Sequence, residues 1–123
     1  MKKVLIIDDN ENDSLLIETK LKKTGINCKV FTSRTGEDGI KSADDIRPDI
    51  VIIDTNLPRQ DGFQVCKKMK SKFGDSIKII IITGYVDAVD AVKARRSGAD
   101  DYSIKTSDVA NLIKKVANLI KLD

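Results

Sequence analysis

Acidic, hydroxyl and amine side chains stand directly after short apolar runs in this 123-residue chain. Asp8 and Asp9 follow the first run, Asp54 the third, Thr83 the fourth and Lys105 the fifth. Each residue alone has an ordinary structural explanation as a turn former, a helix cap or a solvated side chain. Their coincidence after four of the five runs indicates a site that these residues build together.

Such a set of acidic, hydroxyl and amine side chains can bind and transfer a phosphoryl group. Three neighbouring carboxylates repel one another, and at neutral pH one of them would keep its proton unless a cation is bound. An incomplete shell of oxygen ligands suits Mg²⁺, which prefers a phosphate oxygen in a remaining position. Lys105 adds an ammonium group and Thr83 a neutral donor. We predict Asp54 as the acceptor, because it stands alone at the end of a central strand.

The elements that must position these residues alternate regularly along the chain. Apolar, largely β-branched runs at residues 4–7, 50–53 and 79–82 predict strands, and two weaker runs at 28–31 and 101–104 complete a set of five. The first three runs are continuous, which is typical of a parallel sheet that is buried on both faces. Helical segments are predicted at about 12–23, 35–45, 62–74, 87–97 and 109–120.

This strict alternation predicts an α/β fold, a doubly wound parallel sheet with helices on both faces. In such a sheet, ligands bind beyond the carboxyl ends of the strands, where the strand order reverses. All the polar residues singled out above stand at that edge. We therefore expect one domain over residues 1–123, with no output domain.

Composition excludes several kinds of function. The chain contains no His, so it supplies no imidazole base and no phosphohistidine of its own. Nucleic-acid binding is not predicted, because the net charge is only +3 (22 Lys and Arg against 19 Asp and Glu) and there is no Trp. Cys28 and Cys66 are expected to be small buried side chains, and lone thiols without a secretory signal predict a cytoplasmic protein. No apolar run approaches the length of about 20 residues that a membrane span needs.

Five segments, in order and in register, resemble the receiver domain of the two-component response regulators, including the single-domain chemotaxis regulators. They are residues 4–10 (VLIIDDN), 47–54 (RPDIVIID), 57–63 (LPRQDGF), 80–84 (IIITG) and 98–105 (GADDYSIK). The resemblance covers essentially the whole chain. It implies the flavodoxin-like receiver fold with strand order 2-1-3-4-5.

The resemblance also implies a role for each matching acidic residue. Asp54 matches the aspartate that accepts the phosphoryl group. Asp8 and Asp9 match the acidic pair that holds Mg²⁺ together with Asp54, and Asn56 matches the position whose backbone carbonyl completes the metal shell. The implied phosphoryl donor is a phosphohistidine on a sensor histidine kinase or a histidine phosphotransfer protein.

Three further positions match the switch of the family. Thr83 matches the hydroxyl that binds the phosphoryl group, Lys105 the lysine that pairs with it, and Tyr102 the aromatic residue that turns inward when Thr83 moves. Two positions nearby concern the same site. Thr106 stands where the family usually has proline, which leaves a cis or a trans peptide open, and Tyr85 is expected to shield the phosphoaspartate from water.

The expected function is therefore a stand-alone phosphoacceptor signalling domain and not an enzyme, although it supplies catalytic groups for its own phosphorylation. The fourth helix, fifth strand and fifth helix would signal to a downstream protein of unknown identity or pass the phosphate on. Two alternatives stay open. One is an Mg²⁺ phosphatase with an Asp nucleophile, which needs a second carboxylate where this chain has Asn56. The other is a degenerate receiver that acts as a binding scaffold.

Overall fold

The computed structural model describes residues 1–84, 88–105 and 109–121, with backbone only for 88, 89 and 121. The helices and strands in chain order are β1 (Lys2–Ile7), α1 (Glu11–Lys23), β2 (Cys28–Ser33), α2 (Gly36–Ile46), β3 (Ile50–Asp54), α3 (Gly62–Phe73), β4 (Lys78–Thr83), α4 (Ala88–Arg96), β5 (Asp101–Ile104) and α5 (Ala110–Lys121). A 3₁₀ turn (Gly74–Ser76), which the sequence analysis did not predict, follows α3.

The five strands form one parallel sheet in the order β2-β1-β3-β4-β5. The order reverses between β1 and β3, because the chain leaves β1 toward one edge for β2 and then returns to the other side for β3. This topology confirms the predicted doubly wound fold and its strand order. It also puts the reversal beside the ends of β1 and β3, where ligands bind in such sheets.

The central strands are buried on both faces, as their continuous apolar runs predicted. Leu5, Val51 and Ile79 face a cluster that includes residues of α2, α3 and α4. Their neighbours Val4 and Ile52 face the opposite cluster, which includes residues of α1 and α5. Side chains alternate between the two faces of a strand. In a strand buried on both faces, every side chain therefore points into the apolar core. A rigid, fully packed sheet therefore carries the polar residues at its carboxyl edge.

Helix ends agree with the local sequence. Asn10 and Thr35 cap α1 and α2, and the Asp61 side chain accepts from the Gln64 backbone in a capping box that begins α3. Helix α2 ends at Ile46 with Arg47 in the left-handed region, just before Pro48. The predicted boundaries differ from the observed ones by one or two residues, as in β1, which begins at Lys2, and β2, which extends to Ser33.

The two cysteines differ in burial. Cys66 is buried as predicted, whereas Cys28 is only partly buried, and both thiols are free. Burial raises the pKa of both thiols. Among the described residues, no helix is long and apolar enough to cross a membrane.

Candidate functional site

The strands bring the predicted polar residues to one edge of the sheet. Asp8 directly follows β1, and Asp54 ends the neighbouring β3, where Ile7 pairs with Ile53. Thr83 ends β4, and its carbonyl accepts a backbone hydrogen bond of 2.7 Å from Lys105, just beyond β5. The site therefore lies at the carboxyl ends of four adjacent strands, β1, β3, β4 and β5.

Three carboxylates form the acidic part of the site. One oxygen from each of Asp8, Asp9 and Asp54 lies within 4.8 Å of the other two. Asp8 and Asp54 are 1% and 6% exposed, whereas Asp9 faces solvent. Backbone amides fix the two buried groups, because Asn10 donates to Asp8 at 3.0 Å and Asn56 donates to Asp54 at 3.4 Å. The carboxylates of Asp8 and Asp54 are thus held in place by backbone amides, and the site opens to solvent beside Asp9.

Lys105 is the cationic part of the site. Its Nζ atom lies 3.1 Å from Asp54 Oδ2 and 3.0 Å from Asp8 Oδ2. It also lies 2.8 Å from Asp13 Oδ2, a contact that the sequence analysis missed. Asp13 belongs to the first turn of α1, where an acid has an ordinary role in complementing the helix dipole, so no signal in the sequence set it apart.

The surroundings change the acidity of two of these groups. Burial and, secondly, the charge of Asp8 raise the pKa of Asp54 to about 6, against the opposing effect of Lys105. Burial alone would lower the pKa of Lys105, but the nearby carboxylates of Asp13, Asp8 and Asp54 outweigh it and raise the pKa. Lys105 therefore stays an ammonium, while burial and the neighbouring charge of Asp8 disfavour the negative charge of Asp54.

The raised pKa of Asp54 predicts a pH-dependent stability difference. The folded protein binds a proton on Asp54 more tightly than the unfolded chain does. The group therefore favours folding below its ordinary pKa of 3.8 and loses that contribution as the pH rises through about 6. Asp54→Asn, neutral at every pH, should be more stable than the wild-type protein by about 1–2 kcal/mol near pH 7, and the difference should shrink toward zero near pH 4.

Urea unfolding of both proteins, with a metal chelator present, measures this difference. The Asn side chain keeps an oxygen to which Lys105 can donate, so the comparison removes mainly the ionisable group. A difference in unfolding free energy that does not grow between pH 4 and pH 7 would contradict the raised pKa of Asp54.

The donor set fits a hard divalent cation. Asp8 Oδ2 is buried and accepts no hydrogen bond of good geometry from the described residues, although Lys105 Nζ lies 3.0 Å away. Buried carboxylate oxygens normally have partners, and carboxylate oxygen is the ligand type that Mg²⁺ prefers. A cation among Asp8, Asp9 and Asp54 would satisfy this oxygen and reduce their mutual repulsion.

The remaining predicted residues lie around this centre. Thr83 is fully buried, with Oγ1 3.5 Å from Asp90 Oδ2 of α4, at the long limit of a hydrogen bond.

Tyr102 is half-buried on β5, pairs in register with Ile81 and packs against the core cluster on the α4 face. The Asn56 side chain is exposed. Tyr85 and Thr106 lie outside the described residues.

A doubly wound parallel sheet with three acids and a lysine at its switch point defines a class of α/β domain that binds its ligand at the carboxyl edge of the sheet. Comparisons with known proteins place the chain within that class. Residues 4–117 match the family described as the response regulator receiver domain. The chain belongs to this family, which confirms the resemblance drawn from the sequence, and receiver domains of this family serve phosphorylation-based two-component signalling.

Curated relatives agree with this family. The transcriptional regulatory protein AfsQ1 of Streptomyces coelicolor is 37% identical over 105 residues, which are 85% of this chain and 45% of AfsQ1. The response regulator ArlR of Staphylococcus aureus is 33% identical over 121 residues, which are 98% of this chain and 53% of ArlR. The chain thus spans about half the length of the curated relatives it matches. A single domain without an output domain stays a prediction.

Solved structures show the same fold. TrrA of Thermotoga maritima, in complex with Mg²⁺-BeF, superposes with a TM-score of 0.85 at 28% identity, covering 97% of this chain and 99% of TrrA. DrrB, an OmpR/PhoB homolog of the same organism, gives 0.86 at 27% identity, covering 98% of this chain and 53% of DrrB.

Proposed function

We propose that this receiver accepts a phosphoryl group on Asp54 from the phosphohistidine of a sensor histidine kinase or histidine phosphotransfer protein. The observation that carries the proposal is the placement of Lys105 Nζ 3.1 Å from Asp54 Oδ2, in a site where Asp8 and Asp9 oxygens lie within 4.8 Å of Asp54. The donor histidine must lie outside these 123 residues, because they contain no His. Two free thiols accord with a reducing, cytoplasmic setting.

Asp8, Asp9 and Asp54 would hold Mg²⁺, with the backbone carbonyl of Asn56 as a further ligand. When bound, the metal supplies positive charge to the oxygens of the transferring group. The match between the acidic cluster and the ligand preference of this cation supports the assignment.

In the transfer, an Asp54 carboxylate oxygen forms a bond to phosphorus while the bond from phosphorus to the imidazole nitrogen of the donor breaks. The imidazole leaves with the electron pair of that bond. Lys105 stays charged and donates hydrogen bonds to the equatorial oxygens, where negative charge develops. The backbone amide of Asn56 holds the acceptor carboxylate in place during the attack.

The output would be a change of packing around Tyr102. A phosphoryl group on Asp54 would draw the Thr83 hydroxyl toward it, away from Asp90 of α4. A cavity of about 310 Å³, lined by α4, β5 and Lys115, lies beside Tyr102 and offers room for its ring to move. This is a shift between two packings of α4, β5 and α5.

The surface formed by α4, β5 and α5 would then carry the signal to a downstream protein. Its basic residues are Lys93, Arg95, Arg96, Lys114 and Lys115. Such a surface suits an acidic partner.

Uptake of phosphate from a small donor tests the proposal directly. Incubation with acetyl phosphate and Mg²⁺ should add one phosphoryl group to the protein, seen by intact mass spectrometry, as the phosphorus–oxygen bond of the donor breaks and acetate leaves. The same incubation with a chelator in place of Mg²⁺ should add almost none. No mass gain with Mg²⁺ would contradict the proposal, and steady hydrolysis of p-nitrophenyl phosphate would favour the phosphatase alternative.

A further inference from the structure

Among the described residues, the shortest ion pair of the Lys105 ammonium group is made with a carboxylate outside the predicted site. Asp13 Oδ2 lies 2.8 Å from Lys105 Nζ, compared with 3.0 Å for Asp8 and 3.1 Å for Asp54. Asp13 is held in the first turn of α1, where its backbone amide donates to the cap residue Asn10 at 3.1 Å. The contact therefore ties the lysine to a helix on one face of the sheet.

Three carboxylates around one ammonium group have a simple consequence. The Lys105 ammonium group donates hydrogen bonds to Asp13 at 2.8 Å and to Asp54 at 3.1 Å, and it also lies 3.0 Å from the charge of Asp8. A phosphoryl oxygen that arrives on Asp54 therefore competes with these carboxylates for the ammonium group, and Lys105 turns fully toward it when one of the carboxylates gives up its contact.

Burial indicates which carboxylate yields most readily. The Asp8 and Asp54 side chains are 0% and 8% exposed, whereas the Asp13 side chain is 37% exposed. A buried carboxylate that loses its cation bears a large desolvation penalty, but an exposed one exchanges the cation for water at little cost. Of the three contacts of the Lys105 ammonium group, the one with Asp13 therefore breaks at the lowest cost.

We propose that Asp13 is a positioning residue that holds Lys105 toward α1 in the unphosphorylated protein and slows phosphoryl uptake until the contact breaks. The proposal rests on the function proposed above, because it concerns the lysine of the same site. Asp13 touches neither the donor nor the acceptor oxygen in this scheme; it acts through the position of the Lys105 ammonium group.

The test compares Asp13→Asn with the wild-type protein. With acetyl phosphate and saturating Mg²⁺, the variant should take up phosphate about fivefold faster, because a partly exposed ion pair of this kind opposes the transfer by a modest amount. Glu11→Gln is the matched control. It removes the same charge from the same helical turn, but Glu11 pairs with Arg34 at 3.1 Å and has no contact with Lys105. Its rate should stay at the wild-type value.

A conservative variant separates positioning from a general structural effect. Asp13→Glu keeps a carboxylate that can reach the ammonium group, so its uptake rate should return toward that of the wild-type protein. Thermal unfolding of all variants checks that the fold is retained. Equal rates for Asp13→Asn and the wild-type protein, or the same acceleration in Glu11→Gln, would overturn the inference alone. Absence of any uptake by the wild-type protein would overturn the proposed function and this inference with it.

Discussion

Asp54→Asn is expected to take up no detectable phosphoryl group under conditions in which the wild-type protein is fully modified. The substitution keeps the shape of the side chain and an oxygen to which Lys105 and the Asn56 amide can donate. It removes the nucleophile, because a neutral amide does not attack phosphorus as a carboxylate does. Intact mass spectrometry after incubation with acetyl phosphate and Mg²⁺ measures the loss.

A matched control and the stability of the variant make this experiment decisive. Asp44→Asn removes an equal charge from an exposed position, where the carboxylate pairs with Arg47 at 3.4 Å and Lys72 at 3.6 Å, and should be modified like the wild-type protein. Because Asp54→Asn is expected to be the more stable protein near neutral pH, unfolding cannot account for its inactivity. Modification of Asp54→Asn at the wild-type rate would exclude Asp54 as the acceptor.

The helices and strands were predictable where the local sequence determines them. Continuous apolar runs such as residues 50–53 identify strands buried on both faces, and the observed sheet confirms them. The strand order is a different matter, since burial says nothing about which strand is next to which. That order came from the resemblance to receiver domains. The later end of β2 escaped the pattern because Thr32 and Ser33 are polar residues of an edge strand.

The candidate site was predictable for a geometric reason. All strands of a parallel sheet end at the same edge, so residues that follow different strands must gather there whatever the details of packing. This is why Asp8, Asp54 and Lys105 are found together. Asp13 could not be predicted in this way. Its contact depends on the direction of the Lys105 side chain across α1, and a pattern of residue types does not contain that direction.

Gly62→Ala is expected to destabilise the protein by about 3 kcal/mol, because overpacking against rigid atoms costs this much. A Cβ atom at Gly62 would lie 2.2 Å from the Asp54 carbonyl oxygen, 2.8 Å from the Asp54 carbonyl carbon and 3.0 Å from Thr55 Cα. All these atoms are backbone, and the Gly62 amide also donates to the Thr55 carbonyl at 3.0 Å. The strand end and the start of α3 would have to separate, and Asp54 would move with them.

Gly39→Ala supplies the comparison that isolates this effect, measured for both variants by urea unfolding. The added Cβ would meet Ile7 Cδ1 at 2.3 Å and Cγ1 at 2.7 Å, so the buried Ile7 side chain would have to shift, but Gly39 lies within α2, where alanine favours the helix. Because its nearest atoms belong to a side chain and not to the backbone, Gly39→Ala should lose less stability than Gly62→Ala, and it should keep normal phosphate uptake. Equal losses in the two variants would mean that the backbone at Asp54 yields as easily as a side chain. The close approach of α3 would then have no part in fixing the acceptor.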